Sequence, residues 1–221
     1  MTQAERPAPD AAPVFAAQLR GVVKSVRRKP VLQGLDLDLR VGEATVIIGA
    51  AGAGKTTLAR LLCGQTAAEA GEIRRAGQPA PLIGSNWGFA PGAPVRRSLA
   101  MRAAAYGVDA ATYIGAVAAL MKDPGHLEGP FNRLKGFDRT MVVQAAGWLL
   151  PCSLMVVEGQ FRPKDETPRE RLRPLWESAR RRAALVWLVP PKTGIAWMKP
   201  ERVLRLEAGR LLDETPAGPG A

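Results

Sequence analysis

Gly49-Ala50-Ala51-Gly52-Ala53-Gly54-Lys55-Thr56 fits the pattern G-x-x-x-x-G-K-[ST] at every fixed position. The segments on either side supply the context that pattern needs. Ala44 to Ile48, just before it, is a continuous apolar run rich in β-branched residues, as in a strand buried on both faces of a sheet. Thr56 to Cys63, just after it, reads as a helix that ends at Gly64. The glycines let the backbone curl so that successive N–H groups converge on phosphate oxygens. The helix start adds the positive end of its dipole. Lys55 is expected to reach the β- and γ-phosphates of a nucleotide, and the Thr56 hydroxyl to ligate Mg²⁺. Gly49, Ala51, Gly52, Ala53, Gly54 and Thr57 complete the expected phosphate cradle through their backbone.

Outward from this loop the chain alternates strand-like and helix-like stretches. Toward the amino end, Leu35 to Leu39 reads Leu-Asp-Leu-Asp-Leu, the period of a half-buried strand, and Val41-Gly42-Glu43 is a turn. Phe15 to Val26 is strand-like and is followed by the basic turn Arg27-Arg28-Lys29-Pro30. Residues 1–14, rich in Ala and Pro, read as a disordered tail. Toward the carboxyl end, residues about 96–150 are dominated by Ala, Met and Leu and read as a helical subdomain, broken at Asp123-Pro124-Gly125. Buried strands are expected at Leu154 to Val157 and Ala184 to Val189, and a terminal strand at Arg202 to Leu206 that turns into Arg210-Leu211-Leu212. Arg169 to Arg182 reads as a charged surface helix, kinked or started near Pro174. Residues 213–221 are left as a second tail. Buried strands separated by helices give an α/β class with a mainly parallel sheet.

Composition sets the outer bounds. The chain has 221 residues, which suits one domain with at most a small subdomain, and its 47% apolar and 23% charged residues suit a globular protein. Two cysteines far apart, Cys63 and Cys152, exclude a disulfide scaffold or a zinc ribbon and fit a reducing compartment. A single histidine, His126, excludes a two-histidine metal site. The net charge of +11 rests mainly on arginine, since eight of the 31 basic residues are lysine, and suits a polyanionic partner. No stretch reaches the ~18 apolar residues of a membrane span, and residues 1–14 lack the apolar region of a signal peptide.

The surroundings of the phosphate loop resemble the opening of an ABC-transporter ATPase. The resemblance rests on Val31-Leu32-Gln33-Gly34-Leu35-Asp36-Leu37-Asp38-Leu39, Val41-Gly42-Glu43, the loop itself, Leu58 to Gly64, and Gly71-Glu72-Ile73. It covers about residues 15–212. The middle, with Trp87-Gly88-Phe89 and Tyr106-Gly107-Val108-Asp109, is most similar to the ATPase subunits of capsular-polysaccharide exporters. It implies a P-loop NTPase of the ABC ATPase type, with a mainly parallel core sheet, a small antiparallel β part and a helical subdomain. It also implies ATP with Mg²⁺, a dimer partner (a second copy or a paralogue) and transmembrane permease subunits docked near residues 85–110. The expected location is the cytoplasmic face of the inner membrane, held peripherally, with no nucleic acid as partner.

Other family motifs are degenerate. Arg133-Leu134-Lys135-Gly136-Phe137 stands where the signature Leu-Ser-Gly-Gly-Gln belongs, with Lys135 replacing a small residue and only Gly136 kept. Gly136 lies 22 residues before Glu158, the separation between signature glycine and catalytic glutamate. By that spacing Glu158 falls at the general-base position, and Val157 replaces the magnesium-bracing aspartate. Pro190-Pro191 replaces the switch histidine, about Val26 the aromatic that stacks on adenine, and about Val95 the glutamine of the linking loop. The implied protein binds ATP and hydrolyses it weakly or not at all. Two other readings stand beside it. One is a working ATPase that recruits Glu158, Asp165 or Glu166; the other is a nucleotide-gated module for an anionic polymer, using Arg169, Arg171, Arg173 and Arg180 to Arg182.

Overall fold

The computed structural model describes residues 14–83, 86–159, 166–195 and 198–215, the side chains of 166–169 excepted. Strands β1 (Phe15–Val26) and β2 (Lys29–Arg40) form an antiparallel hairpin, and β4 (Ala70–Arg75) pairs with the other side of β1. The hairpin turns at Arg27 and Arg28, both at positive φ, as a two-residue turn of matching twist requires. Leu35, Leu37 and Leu39 point inward while Asp36 faces solvent, so the period-two pattern does what it suggests. Gly71 shows why β4 approaches so closely. Its φ is +83°, and a Cβ there would stand 2.4 Å from the carbonyl oxygen of Gly21.

The second sheet runs β5 (Pro79–Leu82), β6 (Leu154–Glu158), β7 (Ala184–Val189), β3 (Ala44–Ile48), β8 (Arg202–Glu207) and β9 (Arg210–Asp213) in spatial order. All neighbours are parallel except the β8–β9 hairpin. Both faces of its central strands are covered, which explains their continuous apolar runs. Leu154, Val156, Ala184, Val186, Leu188 and Ile47 pack on one face, against helix α1 (Lys55–Leu62) and the antiparallel sheet. Met155, Val157, Leu185, Trp187, Val189 and Val46 pack on the other. There they meet a helical layer of α2 (Val95–Ala105), α3 (Ala110–Ala118), α4 (Gly136–Trp148) and α5 (Glu166–Arg182).

Several boundaries differ from the sequence reading. Strand β5 is an addition: Pro79 and Pro81 conceal it, and proline is tolerated because the strand lies at the sheet edge. Its outer flank is tied to the end of α2, where the Tyr106 hydroxyl donates to the Pro79 carbonyl and Gln78 Nε2 to Ala105 O at 3.2 Å. Helix α5 continues through Pro174 rather than starting there. The break at Asp123-Pro124-Gly125 is a 3-10 turn, Pro124–Glu128, capped by the Asp123 carboxylate. Val95 opens α2 and is fully buried in the helical layer, so it lies in the core rather than in a nucleotide-facing loop. The chain also stays attached beyond residue 212. Glu214 donates its N–H to Val203 O at 2.8 Å, and the Thr215 hydroxyl accepts the Val203 N–H at 3.1 Å.

Candidate functional site

The parallel strands end together, and the phosphate loop occupies that edge as ligand loops do in α/β sheets. Gly49 leaves β3 by donating its N–H to Val189 O at 3.0 Å, and Ala53 closes a turn onto Ala50 O at 3.2 Å. Gly54, at φ +103°, caps α1 without a side-chain bond, and no acidic residue stands in the first turn of the helix. A Cβ at Gly54 would meet Val31 Cγ1 at 2.7 Å, so a side chain is excluded by both space and backbone angle. The result is an open helix start whose amides face a cleft of about 230 Å³. Its walls are Val26, Val31, Gly52, Gly54, Lys55, Thr56 and Thr57.

Lys55 folds back over the loop, its Nζ donating to Gly49 O and Ala50 O at 2.8 Å each. Partial burial lowers its pKa, and the nearby Glu158 carboxylate opposes that shift. An incoming phosphate would replace two carbonyls by formal negative charge, a better partner for an ammonium. Thr56 Oγ1 donates to Glu158 Oε1, so the loop hydroxyl meets the carboxylate at the end of β6. One hydroxyl and one carboxylate suit Mg²⁺, which keeps several waters and is bound through few carboxylates plus substrate phosphates. Among the described residues no group of three or more His, Cys, Asp or Glu gathers elsewhere to hold a metal.

The remaining sequence candidates fall in distinct places. Val26 lines the cleft beside Val31, two aliphatic side chains where stacking on a base would need a ring. Pro191 borders a second depression of about 390 Å³ with Gly49–Ala53 and the β8–β9 turn. Lys135 and Gly136 are exposed at the start of α4, in the helical layer. Phe137, next in line, lies between Lys122 Nζ at 4.9 Å and the Arg171 guanidinium at 5.4 Å. Asp165 lies outside the described residues, as do the side chains of Glu166 and Arg169.

Behind that turn sits a pair that no spacing indicated. Asp138 is buried and accepts the Lys122 and Asp123 amides at 2.7 and 3.3 Å, and His126 Nδ1 is 2.8 Å away. Burial alone would raise the Asp138 pKa, but the amide and imidazole hydrogen bonds outweigh it and hold the carboxyl below its usual range. The same hydrogen bond raises the pKa of His126. The loop residue and the helix start are thereby joined.

Three of the α5 arginines turn to partners within the fold. Arg182 donates to the carbonyls of Trp148 and Leu150 and to Ser178 Oγ, completing the end of α4. Arg180 pairs with Glu201 and stacks on Trp176, while Arg171 bonds Leu120 O at 3.2 Å and covers Phe137. These three guanidiniums serve packing and capping, while Arg173 and Arg181 are exposed.

The fold is that of the ABC-type ATP-binding subunits. One solved structure, described as an ATP-binding subunit of an ABC transporter, superposes with a TM-score of 0.74 at 18% identity, over 91% of this chain and 90% of that one. A dimeric post-hydrolysis ATP-binding cassette, MJ0796 bound to ADP and Pi, gives 0.73 at 15% identity, over 91% and 99%. Residues 32–93 match the ABC transporter family. An aliphatic sulfonates import ATP-binding protein of Corynebacterium glutamicum is 45% identical over 29% of this chain and 27% of its own length. A Nod factor export ATP-binding protein of Mesorhizobium japonicum is 40% identical over 36% and 24%. A cytochrome c biogenesis ATP-binding export protein of Hyphomonas neptunium is 43% identical over 45% and 50%. The matched stretches thus span half or less of these relatives. Among the described residues no helix is long and apolar enough to cross a membrane.

Proposed function

We propose that this chain is the ATP-binding subunit of an ABC-type transport system, holding Mg²⁺-nucleotide at its phosphate loop and turning it over slowly or not at all. One observation carries the reading: the loop, the open start of α1, Lys55 and Thr56 line one cleft, and the Thr56 hydroxyl meets the Glu158 carboxylate. Binding there needs only backbone amides, an ammonium and a metal bracket. Phosphoryl transfer needs further groups positioned around the γ-phosphate, and Pro190-Pro191 and Lys135 supply none of the family's usual ones.

The cargo is a finer proposal. Trp87-Gly88-Phe89 and Tyr106-Gly107-Val108-Asp109 favour (poly)saccharide export, whereas the relatives above are named for sulfonate import, Nod factor export and cytochrome c biogenesis. A dimer partner and membrane-spanning permease subunits follow from the same reading, as does a peripheral position at the cytoplasmic face of the inner membrane. The test is calorimetry with ATP and a non-hydrolysable analogue, alongside a phosphate-release assay. Wild-type protein is expected to bind, Lys55→Ala to lose binding, and release to stay near background. Unchanged affinity in Lys55→Ala would remove the basis of the assignment, and turnover of several per second, within the ordinary enzyme range of about 1–10³ s⁻¹, would remove the weak-hydrolysis part.

A further inference from the structure

The β1–β2 hairpin ends on three consecutive cations at the rim of the phosphate-loop cleft. Val26 and Val31, on either side of the tip, are both walls of that cleft. Arg27 and Arg28 form the turn between the strands, at φ +50° and +64°, and Val26 pairs across the ladder with Lys29. Directly opposed residues of an antiparallel pair carry their side chains on the same face. Lys29 therefore stands beside Val26 on the face that borders the cleft. Arg27 follows one Cα later, about 3.8 Å along the chain. All three cations are exposed, and none has a hydrogen bond, ion pair or ring contact among the described residues. Arg20, Arg74 and Arg205, elsewhere on the two sheets, each meet a carboxylate. Three adjacent like charges with no counterion in the fold repel one another, and an anion at the cleft relieves that repulsion.

We infer that the Arg27-Arg28-Lys29 tip is a second cationic wall of the nucleotide site, in addition to Lys55, and that the site selects polyphosphate charge and not the base. The cleft itself has little with which to read a base. Val26 and Val31 carry neither a ring nor a polar side-chain atom, and its other side chains, Ala53 excluded, are Lys55, Thr56 and Thr57 at the start of α1. Strong discrimination between similar ligands needs side-chain groups built to hydrogen-bond one of them. Ammonium and guanidinium groups bind phosphate oxygens whichever base is attached. A guanidinium can also lie against any base, because every base has a π-face. The ligand class is then nucleoside triphosphates of either base type, with inorganic triphosphate as the minimal member. This inference rests on the nucleotide-binding reading above and names the ligand class of that same site.

The test is displacement of a ribose-labelled fluorescent ATP analogue by ATP, GTP, CTP and inorganic triphosphate. It compares wild type with a triple variant, Arg27→Asn, Arg28→Gly and Lys29→Gln. Asn-Gly is the preferred sequence for a two-residue hairpin turn, so the variant removes three charges while favouring the same turn. In wild type, ATP, GTP and CTP are expected to compete within about threefold of one another, as ligands that differ only where the site makes no specific contact. Inorganic triphosphate is expected to displace the label as well. The triple variant is expected to weaken all four competitors together, by roughly tenfold at low ionic strength and by less as salt screens the tip. A wild type that prefers ATP over CTP by more than about tenfold, the factor that an extra specific contact gives, overturns the inference while leaving nucleotide binding standing. Unchanged affinities in the triple variant overturn it too, because the tip then takes no part in binding. A wild type that binds neither the label nor any competitor overturns the reading beneath it and the inference with it.

Discussion

Placing an aspartate at position 157 tests the face assignment through stability alone. Val157 is 2% exposed and packs among Met155, Leu185 and Trp187 on the helical side of the sheet. A carboxyl group there is pressed toward its neutral form, because burial in the apolar cluster penalises the ion. Holding an aspartic acid neutral at pH 7, against an unfolded pKa of about 3.9, costs about 4 kcal/mol at 1.36 kcal/mol per unit. Losing the burial of the valine side chain adds roughly 1.5 kcal/mol. The total, about 5–6 kcal/mol, rivals the whole stability of a small domain, about 5–15 kcal/mol. The sign in pH is fixed. A carboxyl whose pKa is raised by folding destabilises most above its folded pKa, and that loss disappears as pH falls toward the unfolded value. Urea unfolding of Val157→Asp and Val157→Ala at pH 7 and near pH 4, each referred to wild type, separates the charge from the lost volume. Val157→Asp should regain about 4 kcal/mol on acidification, and Val157→Ala none. A Val157→Asp protein no less stable than Val157→Ala at pH 7 would show that the side chain reaches water or Thr56, and the assignment of faces would fail.

Three further outcomes follow from contacts elsewhere. Gly71→Ala should cost at least about 2 kcal/mol from backbone strain, because its Cβ would press on Gly21 O at 2.4 Å; a loss under about 0.5 kcal/mol in denaturant titration contradicts the β1–β4 register. Arg182→Met keeps the stem and strands the carbonyls of Trp148 and Leu150, which should cost about 1–3 kcal/mol; thermal unfolding within error of wild type would argue against the capping role. His126→Gln should lower the melting temperature at acidic pH, and its gap from wild type should close as pH rises through a folded pKa above the ordinary histidine value. The raised pKa makes the stabilisation complete below the unfolded value and lost above the folded one. A gap that stays constant from acid to alkaline pH rules out the Asp138 pairing as its cause.

Much of the fold was legible in this chain because its core strands are covered on both sides. Ala44–Ile48 and Ala184–Val189 are uninterrupted apolar runs, and the structure bounds them where the composition changes. The phosphate loop was legible for a different reason, since its fixed positions answer to backbone angles and to phosphate geometry. Strand β5 was hidden because Pro79 and Pro81 argue against any central strand and say nothing about an edge. The arginines of α5 are close in sequence but spread around a helix, and three of them turn to Trp148, Glu201 and Phe137. The strand face of Glu158 was not legible, because its place was counted from Gly136 alone. A count from one glycine carries an ambiguity of one residue, and in a strand one residue is the difference between two faces.

The prolines of β5 also govern what can join the sheet. Ala80 and Leu82 are buried inward, while Pro79 and Pro81, two residues apart, share the same side of the backbone ladder. A strand arriving from outside would find no N–H donor at either position, and the Pro79 carbonyl already accepts from Tyr106. An open edge of this kind ordinarily invites another chain to continue it. Here growth by strand addition at β5 stops at the first step. At this edge, an association must instead use side-chain surfaces.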